Sequence, residues 1–357
     1  MHTHIIAEAG VNHNGDLAIA RRLVDAAVSA GADAVKFQTF RAETLVTATA
    51  EQAQYQIRNI GAEQSQYQML KTLELKRDEY RELQNYCQER GIEFLSTPFD
   101  IDSLDFLVDE LGLTRIKLSS GDLTHAPLLL ASARKGVDVI ISTGMAHLAE
   151  LEQALAVLAY GYQNVKGSPT REDLLHSLAS PTGRELIRQR VSVLQCTTEY
   201  PAPVESANLM AMDTMHQAFG VRTGFSDHTV GIAVAIAAVA RGASIIEKHF
   251  TLDREMQGPD HKASLEVDEL RSMIEGIRQV ELAIGDGMKL PHDSELANLK
   301  VARKSLVAAV PVKAGETWTE HNLSIKRPGD GISPFAYWEM LGTIANRDYV
   351  QDEQLEY

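Results

Sequence analysis

The stretch HIIAEAGVNHNGDLAIARRLVDAAVSAGADAVKFQ, residues 4–38, decides how the chain is read. It opens on an apolar run, His4-Ile5-Ile6-Ala7-Glu8, and turns at Asn14-Gly15. Asp16 is placed to cap a helix on which Leu17, Ala20, Leu23, Val24, Ala27 and Val28 recur at helical spacing, and Gly31 is placed to close it. A second apolar run, Ala34-Val35-Lys36-Phe37-Gln38, follows at once. The unit is strand, helix, strand, with a charged residue near the end of the first strand and in the second.

The same unit recurs outward along the chain. Further apolar runs stand at 93–97, 115–119, 138–142, 191–197, 221–226 and 243–249, most of them separated by a segment of helical period. The last such segment carries Leu270, Met273, Ile274, Ile277 and Ile284. Eight strands alternating with helices predict a parallel α/β protein, and the count favours a (β/α)8 TIM barrel over residues 1–285. Two stretches break the rhythm. A polar excursion at about 40–75, including Gln52-Ala53-Gln54-Tyr55 and residues 63–67, follows a strand end and is expected to cover a substrate. A polar insertion at about 161–190 reads as decoration. Residues 286–300 turn polar and irregular, as a linker would. Residues 301–357 then carry a strand-like run at 305–310, a Lys313-Ala314-Gly315 turn and a Gly/Pro-rich stretch at 326–331, which predicts a small β-rich domain.

Among the 357 residues the apolar fraction of 44% and charged fraction of 23% are those of a globular protein. No apolar run approaches the roughly 20 residues that span a bilayer, and the N-terminus lacks a signal-peptide core, so a cytoplasmic location without membrane attachment is expected. A formal net charge of −15 argues against wrapping nucleic acid. An anionic substrate would therefore have to be met by locally gathered lysines and arginines. The two cysteines, Cys87 and Cys196, form neither a metal-ligand spacing nor a disulfide framework.

In a barrel, chemistry sits at the carboxyl ends of the strands. Those ends offer Glu8; Lys36 with Gln38; Ser96 and Thr97; Lys117 with Ser119 and Ser120; Ser142 and Thr143; Thr198 with Tyr200; Ser226 with His228; and Glu247 with His249. Side chains two apart on a strand share a face, so these pairs can point together at the barrel mouth. Any one of them could be a satisfied structural group. Agreement at all eight ends points to an active site, because charges in apolar strands are costly to bury without a partner or ligand. Two lysines, several hydroxyls and the nearby Gly121 and Gly144 suit a phosphate and a carboxylate. Two histidines on neighbouring strands suit a divalent metal with open positions. The residues thus predict a metal-assisted enzyme acting on a phosphorylated or carboxylated small molecule, without selecting the reaction.

Nine motifs in order select it: IAEAGVNHNG (6–15), VKFQTF (35–40), STPF (96–99), STGM (142–145), CTTEYP (196–201), GFSDHT (224–229), EKHFT (247–251), GPDH (258–261) and KRPG (326–329). On these the chain resembles the N-acetylneuraminate (sialic acid) synthase family, which includes legionaminic acid synthases, over essentially its whole length. The resemblance implies a barrel followed by an antifreeze-protein-like (SAF-type) domain. It also implies a domain-swapped homodimer in which Arg327 closes the other subunit's site. It implies that Lys36, Lys117, Ser120, Ser142, Thr198 and Ser226 cradle phosphoenolpyruvate, and that His228 and His249 hold a divalent metal, Mn2+ with Mg2+ or Co2+ as alternatives. Gln38, Tyr200, Asp260 and Arg327 would contact an N-acyl mannosamine sugar, Glu247 would join the two lysines as a catalytic residue, and Glu8 or Asp122 would handle a proton. Where many relatives have Pro-Ser-Gly-Glu or Gly-Ser-Gly-Glu, this chain has Ser119-Ser120-Gly121-Asp122. The implied reaction joins phosphoenolpyruvate, N-acetylmannosamine and water into N-acetylneuraminate and phosphate by C–O cleavage. A rival within the family uses 2,4-diacetamido-2,4,6-trideoxymannose to make legionaminic acid. A rival of another class is a non-catalytic carbohydrate-binding scaffold, against which the retained lysines, histidines and Glu247 argue.

Overall fold

The computed structural model describes residues 2–53, 57 and 65–356. Asp16 accepts hydrogen bonds from the amides of Ala18 and Ile19 at the head of the helix Leu17–Ala30, and Gly31 closes it in a left-handed conformation. The helix returns the chain so that its second strand lies parallel to the first. Repetition of this step gives β1 (His4–Gly10), β2 (Ala34–Thr39), β3 (Glu93–Pro98), β4 (Arg115–Leu118), β5 (Asp138–Ser142), β6 (Val191–Cys196), β7 (Arg222–Asp227) and β8 (Ile245–His249). The strands hydrogen-bond in the order β3-β2-β1-β8-β7-β6-β5-β4. β3 and β4 pack beside each other without a ladder, so the (β/α)8 barrel is nearly closed.

Strand alternation sorts the side chains. Ile5, Ala7, Val35, Phe37, Phe225 and Ile246 point outward into a core shared with the helices. Ile6, Ala34, Leu95, Ile140, Leu194 and Ile245 pack together inside the barrel. Two residues further along each of these strands, on the same face, come Glu8, Lys36, Thr97, Ser142, Cys196 and Glu247. The apolar plug of the barrel thus forms the floor beneath a polar layer at its mouth.

The two irregular regions take definite form. The insertion at 161–190 holds the helices Arg171–Ala179 and Pro181–Arg190, capped by Thr170 and Ser180. Of the excursion after β2, residues 54–56 and 58–64 lie outside the described residues, while its far end is the helix Gln66–Leu73, capped by Ser65. The helix Val267–Ala283 buries Leu270, Met273, Ile274 and Ile277, but Ile284 falls just past its end and is exposed.

The chain divides into two compact units, Met1–Gly285 and Asp286–Tyr357. In the second, β9 (Ser305–Ala308) pairs antiparallel with β10 (Leu323–Lys326) around a small core that includes Leu306, Trp318, Leu323, Ile332 and Tyr349. The stretch at 286–300 is not wholly irregular, since the helix Asp293–Ala302 begins within it. Among the described residues no helix is long and apolar enough to cross a membrane.

The loops after β1 and β8 are tied to each other at the barrel mouth. Asn12 Nδ2 donates to the Phe250 carbonyl at 2.8 Å and to Ser264 Oγ at 3.0 Å, and Asn14 Nδ2 donates to the Gln257 carbonyl at 2.9 Å. His261 lies 2.7 Å from Thr251 Oγ1 and 3.3 Å from Asn14 Oδ1. Gly15, at φ 74°, meets the helix Gln66–Leu73 so closely that a Cβ would sit 2.4 Å from the Thr72 carbonyl oxygen. The latch therefore fixes that helix against the mouth. Burial pushes the imidazoles of His13 and His261 down to about 4 from an ordinary 6.5. Between those values the unfolded chain binds protons that the folded chain refuses, so these two groups cost stability as pH falls through that window. We predict that the parent loses more unfolding free energy between pH 7 and pH 5 than the His13→Gln/His261→Gln variant, as read by urea denaturation. Equal losses would remove the two histidines from the acid response.

Candidate active site

A cavity of about 250 Å3 opens at the carboxyl ends of the barrel strands. Its wall includes Glu8, Lys36, Lys117, Ser142, Ser226 and Glu247, each side chain the inward-facing terminus of a different strand. The register sets the neighbours: Glu8 lies beside Lys36 of β2 on one side and His249 of β8 on the other, while Ser226 lies beside Glu247.

Four charged groups share this floor, each no more than 5% exposed. Lys36 Nζ is 2.7 Å from Glu8 Oε2 and 3.6 Å from Glu247 Oε2, and donates to Thr97 Oγ1 at 3.2 Å. Lys117 Nζ is 3.5 Å from Glu247 Oε1, which also accepts from Ser226 Oγ at 2.8 Å. Gln38 Nε2 donates to Glu8 Oε1 at 3.3 Å. Burial lifts Glu8 to about 7, helped by the negative charge of Glu247 and opposed by Lys36. Burial acts the same way on Glu247, but Lys117 and Lys36 outweigh it and hold the carboxylate at about 2. On Lys36 burial is outweighed by Glu247 and Glu8, which keep the ammonium above its ordinary range. On Lys117 burial prevails over Glu247, and the value falls. Glu8 is thus the carboxyl that can give or take a proton near neutrality, while Glu247 stays ionised between two lysines.

The second feature is a pair of imidazoles. The rings of His228 and His249 lie 5.5 Å apart, with the Tyr200 ring 4.0 Å from the first and 5.6 Å from the second. His228 Nδ1 lies 2.6 Å from the Thr197 carbonyl, which fixes the tautomer and leaves Nε2 as the bare nitrogen when the ring is neutral. Burial, with the positive charge of His228 and Lys36, pushes His249 far below the ordinary histidine value, and its Nδ1 is buried without a hydrogen-bond partner. Among the described residues no group of three His, Cys, Asp or Glu side chains forms a ready metal cage. On His228 burial is outweighed by Cys196 and the value rises. Nε2 of its neutral form and the orphaned nitrogen of His249 nevertheless suit a divalent cation whose remaining positions stay open.

Of the residues expected from the sequence, Glu8, Lys36, Gln38, Lys117, Ser120, Ser142, Thr198, Tyr200, Ser226, His228, Glu247 and His249 all line this one cavity. Asp260 lines a smaller cavity of about 110 Å3 that shares Gln38, Tyr200 and His249 with the first. Asp122 lines neither; its carboxylate is engaged by Ser119 Oγ at 2.5 Å, and burial raises its pKa. As a rival to Glu8 for the proton it is therefore set back from the cavity surface by Ser119. Arg327 belongs to the second unit, where it is exposed and its Nε donates to the Ala302 carbonyl at 3.0 Å. Ser119, expected at the mouth beside Lys117, also lines the cavity, as do three residues the strand-end reading does not single out: Cys196, whose Sγ is 3.7 Å from His228 Nδ1, Phe99 and Met145. Cys196 carried a signal, since it opens the CTTEYP motif two residues beyond the core residue Leu194.

Gly144 shows how tightly this wall is built. Its amide donates to Ser120 Oγ at 2.9 Å, and a Cβ would fall 2.1 Å from Thr198 Oγ1. Ser142 Oγ, on the same wall, is buried without a partner. The arrangement therefore presents two ammonium groups and several hydroxyls to an anion, a carboxyl poised near neutrality, and two imidazoles for a cation.

Comparison with known proteins follows the same lines. The family model described as the NeuB family matches residues 23–289, and the model of the SAF domain matches residues 303–356. An N,N'-diacetyllegionaminic acid synthase of Campylobacter jejuni is 46% identical over 98% of this chain and 98% of its own. One of Legionella pneumophila is 41% identical over 95% of this chain and 89% of its own. The crystal structure of an N-acetylneuraminic acid (sialic acid) synthetase of Leptospira borgpetersenii, in complex with citrate, superposes with a TM-score of 0.67 at 32% identity, covering 84% of this chain and 90% of that one.

On the outer side of the same strands a buried ion pair holds the two histidines in relation. Lys248, between Glu247 and His249, places Nζ 2.8 Å from Asp227 Oδ2 and donates to the Thr229 carbonyl at 2.5 Å. Asp227 Oδ1 accepts from the Thr229 amide and hydroxyl, both at 2.8 Å. The pair thus pins the backbone on both sides of His228 to the strand that carries His249. Removing one partner strands the other charge in the interior, so Lys248→Met is expected to cost about 3–5 kcal/mol of unfolding free energy in urea titrations. Adding Asp227→Asn should restore part of it. A loss within the range of an ordinary surface substitution would show that the pair is not structural.

Proposed function

Because the chain belongs to the NeuB family, we propose that it condenses phosphoenolpyruvate and water with 2,4-diacetamido-2,4,6-trideoxymannose, releasing phosphate and N,N'-diacetyllegionaminic acid. It is a transferase that forms a carbon–carbon bond. Of the two sugars that the sequence leaves open, the resemblance alone points first to N-acetylmannosamine. The names of the relatives at 46% and 41% identity favour the other. The observation that carries the reading is the convergence of Lys36, Lys117, Glu8, Glu247, His228 and His249 on one cavity.

In this reading Lys36 and Lys117 hold the phosphate and carboxylate of phosphoenolpyruvate, with Ser120, Ser142, Thr198 and Ser226 as hydroxyl partners. The lysines leave their internal partners only in part, because Glu247 remains between them as an ionised spacer. Fixing both anionic ends presents C3 of the enol to the sugar aldehyde, and this positioning lowers the barrier to joining two reactants. His228 and His249 would hold a divalent ion, Mn2+ by preference, which supplies a Lewis acid for the aldehyde oxygen. As C3 bonds to the aldehyde carbon, C2 becomes electron-poor and accepts water; the C2–O bond to phosphate then breaks, leaving a keto group. Glu8, near neutrality and hydrogen-bonded to Gln38, is the group suited to move the proton. Gln38, Tyr200 and Asp260 would face the sugar. Small-molecule substrates and a cytoplasmic setting fit this chemistry. The exposed Arg327 would reach the sugar in a second copy of the chain, in a homodimer with exchanged small units.

The test is phosphate release from phosphoenolpyruvate with Mn2+ and each sugar. The diacetamido sugar should give the higher kcat/KM, and Lys117→Ala should lower it by about 100-fold or more. Preference for N-acetylmannosamine would move the chain to the sialic acid branch. Mixing Lys117→Ala with Arg327→Ala protein under conditions that exchange subunits should recover part of the activity. No recovery in verified heterodimers would mean that Arg327 does not act in trans.

A further inference from the structure

The smaller cavity beside the reaction site has a character of its own. It begins at Gln38, Tyr200 and His249, which it shares with the larger one, and is otherwise bounded by Val11, Met69, Leu70, Leu73, Pro259 and Asp260. Met69, Leu70 and Leu73 come from one face of the helix Gln66–Leu73 and are buried with Val11 in an apolar cluster. The helix packs closely on Gly15 at Thr72, and Met69 Sδ accepts from Gln52 Nε2 at 3.3 Å. Asp260, 7% exposed, lines the same cavity; its backbone carbonyl accepts from Ser264 Oγ at 2.7 Å, and its carboxylate, pushed up to about 6 by burial and drawn down by the charge of His228, accepts no hydrogen bond from the described residues. A cavity of about 110 Å3 has the volume of roughly three to four liquid waters. An acceptor in such a place takes its donor from water or from a ligand, and the apolar face penalises any ligand group that brings an unmatched hydroxyl to it.

We infer that the face Met69-Leu70-Leu73 selects the sugar by receiving its deoxygenated end, the C6 methyl and the methyl of the distal acetamido group, while Asp260 accepts the amide hydrogen. This rests on the reading that the aldehyde carbon lies at His249, since the shared residues then direct the carbons remote from the aldehyde into the smaller cavity. A hydroxymethyl group at C6 brings a hydroxyl to the face Met69-Leu70-Leu73, which offers it no polar partner. The 6-deoxy, acetamido-bearing end matches one acceptor and an apolar surface. The excursion after β2 thus contributes a specificity determinant through its last helix.

Substrate analogues test this without disturbing the fold. Parent enzyme is assayed with N-acetylmannosamine, its 6-deoxy analogue and the 2,4-diacetamido-6-deoxy sugar, by phosphate release with Mn2+. An apolar pocket disfavours an added hydroxyl by about 10- to 100-fold in kcat/KM, so the 6-deoxy analogue should exceed N-acetylmannosamine by at least about 10-fold. Leu70→Asn should bring the ratio close to one, and Leu70→Met should keep it, both variants being shown folded by retained phosphoenolpyruvate binding. If the diacetamido sugar is used well but removal of the C6 oxygen changes nothing, or Leu70→Asn leaves the ratio intact, the inference is overturned and the proposed reaction stands. If N-acetylmannosamine is preferred to both deoxy sugars, the proposed substrate and the inference fall together.

Discussion

Two lysines and two carboxylates buried together at the mouth of a barrel are the constraint around which this structure is organised. Left unpaired, any of them would cost several kcal/mol, and paired they gain little over apolar packing. The barrel bears that cost by geometry. Parallel strands in fixed register place Glu8 beside Lys36, and Lys117 and Ser226 at Glu247, directly above an apolar plug that excludes water from below. The arrangement is unequal by design of its surroundings: Glu247 is held ionised, while Glu8 is lifted toward neutrality. A cluster of this kind stabilises the fold poorly and binds a multiply charged anion well, which is the balance an active site requires.

Two supports outside the cavity keep that layer in place. The outward-facing pair of Lys248 and Asp227 joins β8 to the loop that begins at His228, so the imidazoles keep their spacing although each belongs to a different strand. The latch of Asn12, Asn14 and His261 ties the loops after β1 and β8 and gives the helix Gln66–Leu73 a seat. Much of what looks like motif in residues 11–15 and 258–261 is therefore scaffolding. Its consequence for function is indirect: it settles where the apolar wall beside the reaction site stands.

The barrel and most of the site were legible in the sequence for one physical reason. Period-two alternation makes the residue two beyond a core position face the same way, so Glu8 follows Ile6, Lys36 follows Ala34, and Glu247 follows Ile245 to the mouth. What escaped reading obeys other rules. Asp122 sits past the strand end in a short helical turn, where strand parity no longer predicts direction, whereas Ser119, two residues beyond Lys117, reaches the cavity surface as parity expects. Cysteine count and spacing exclude Cys196 from a metal or disulfide framework, and only the parity of β6 turns it to the cavity. The helix Gln66–Leu73 was hidden because its polar neighbours outweigh three apolar residues, Met69, Leu70 and Leu73, that only helical spacing brings together. The two helices of the polar insertion, capped by Thr170 and Ser180, escape likewise, since their buried residues are few.

The proposed reaction depends above all on the paired lysines holding phosphoenolpyruvate. The most direct measurement is a crystal structure of the chain soaked with phosphoenolpyruvate. Density for the molecule between Lys36 and Lys117, with its phosphate and carboxylate on the two ammonium groups and C3 turned toward His249, is the predicted result. A well-ordered protein with the lysines still closed on Glu8 and Glu247, and phosphoenolpyruvate elsewhere or unbound at saturating concentration, would contradict it.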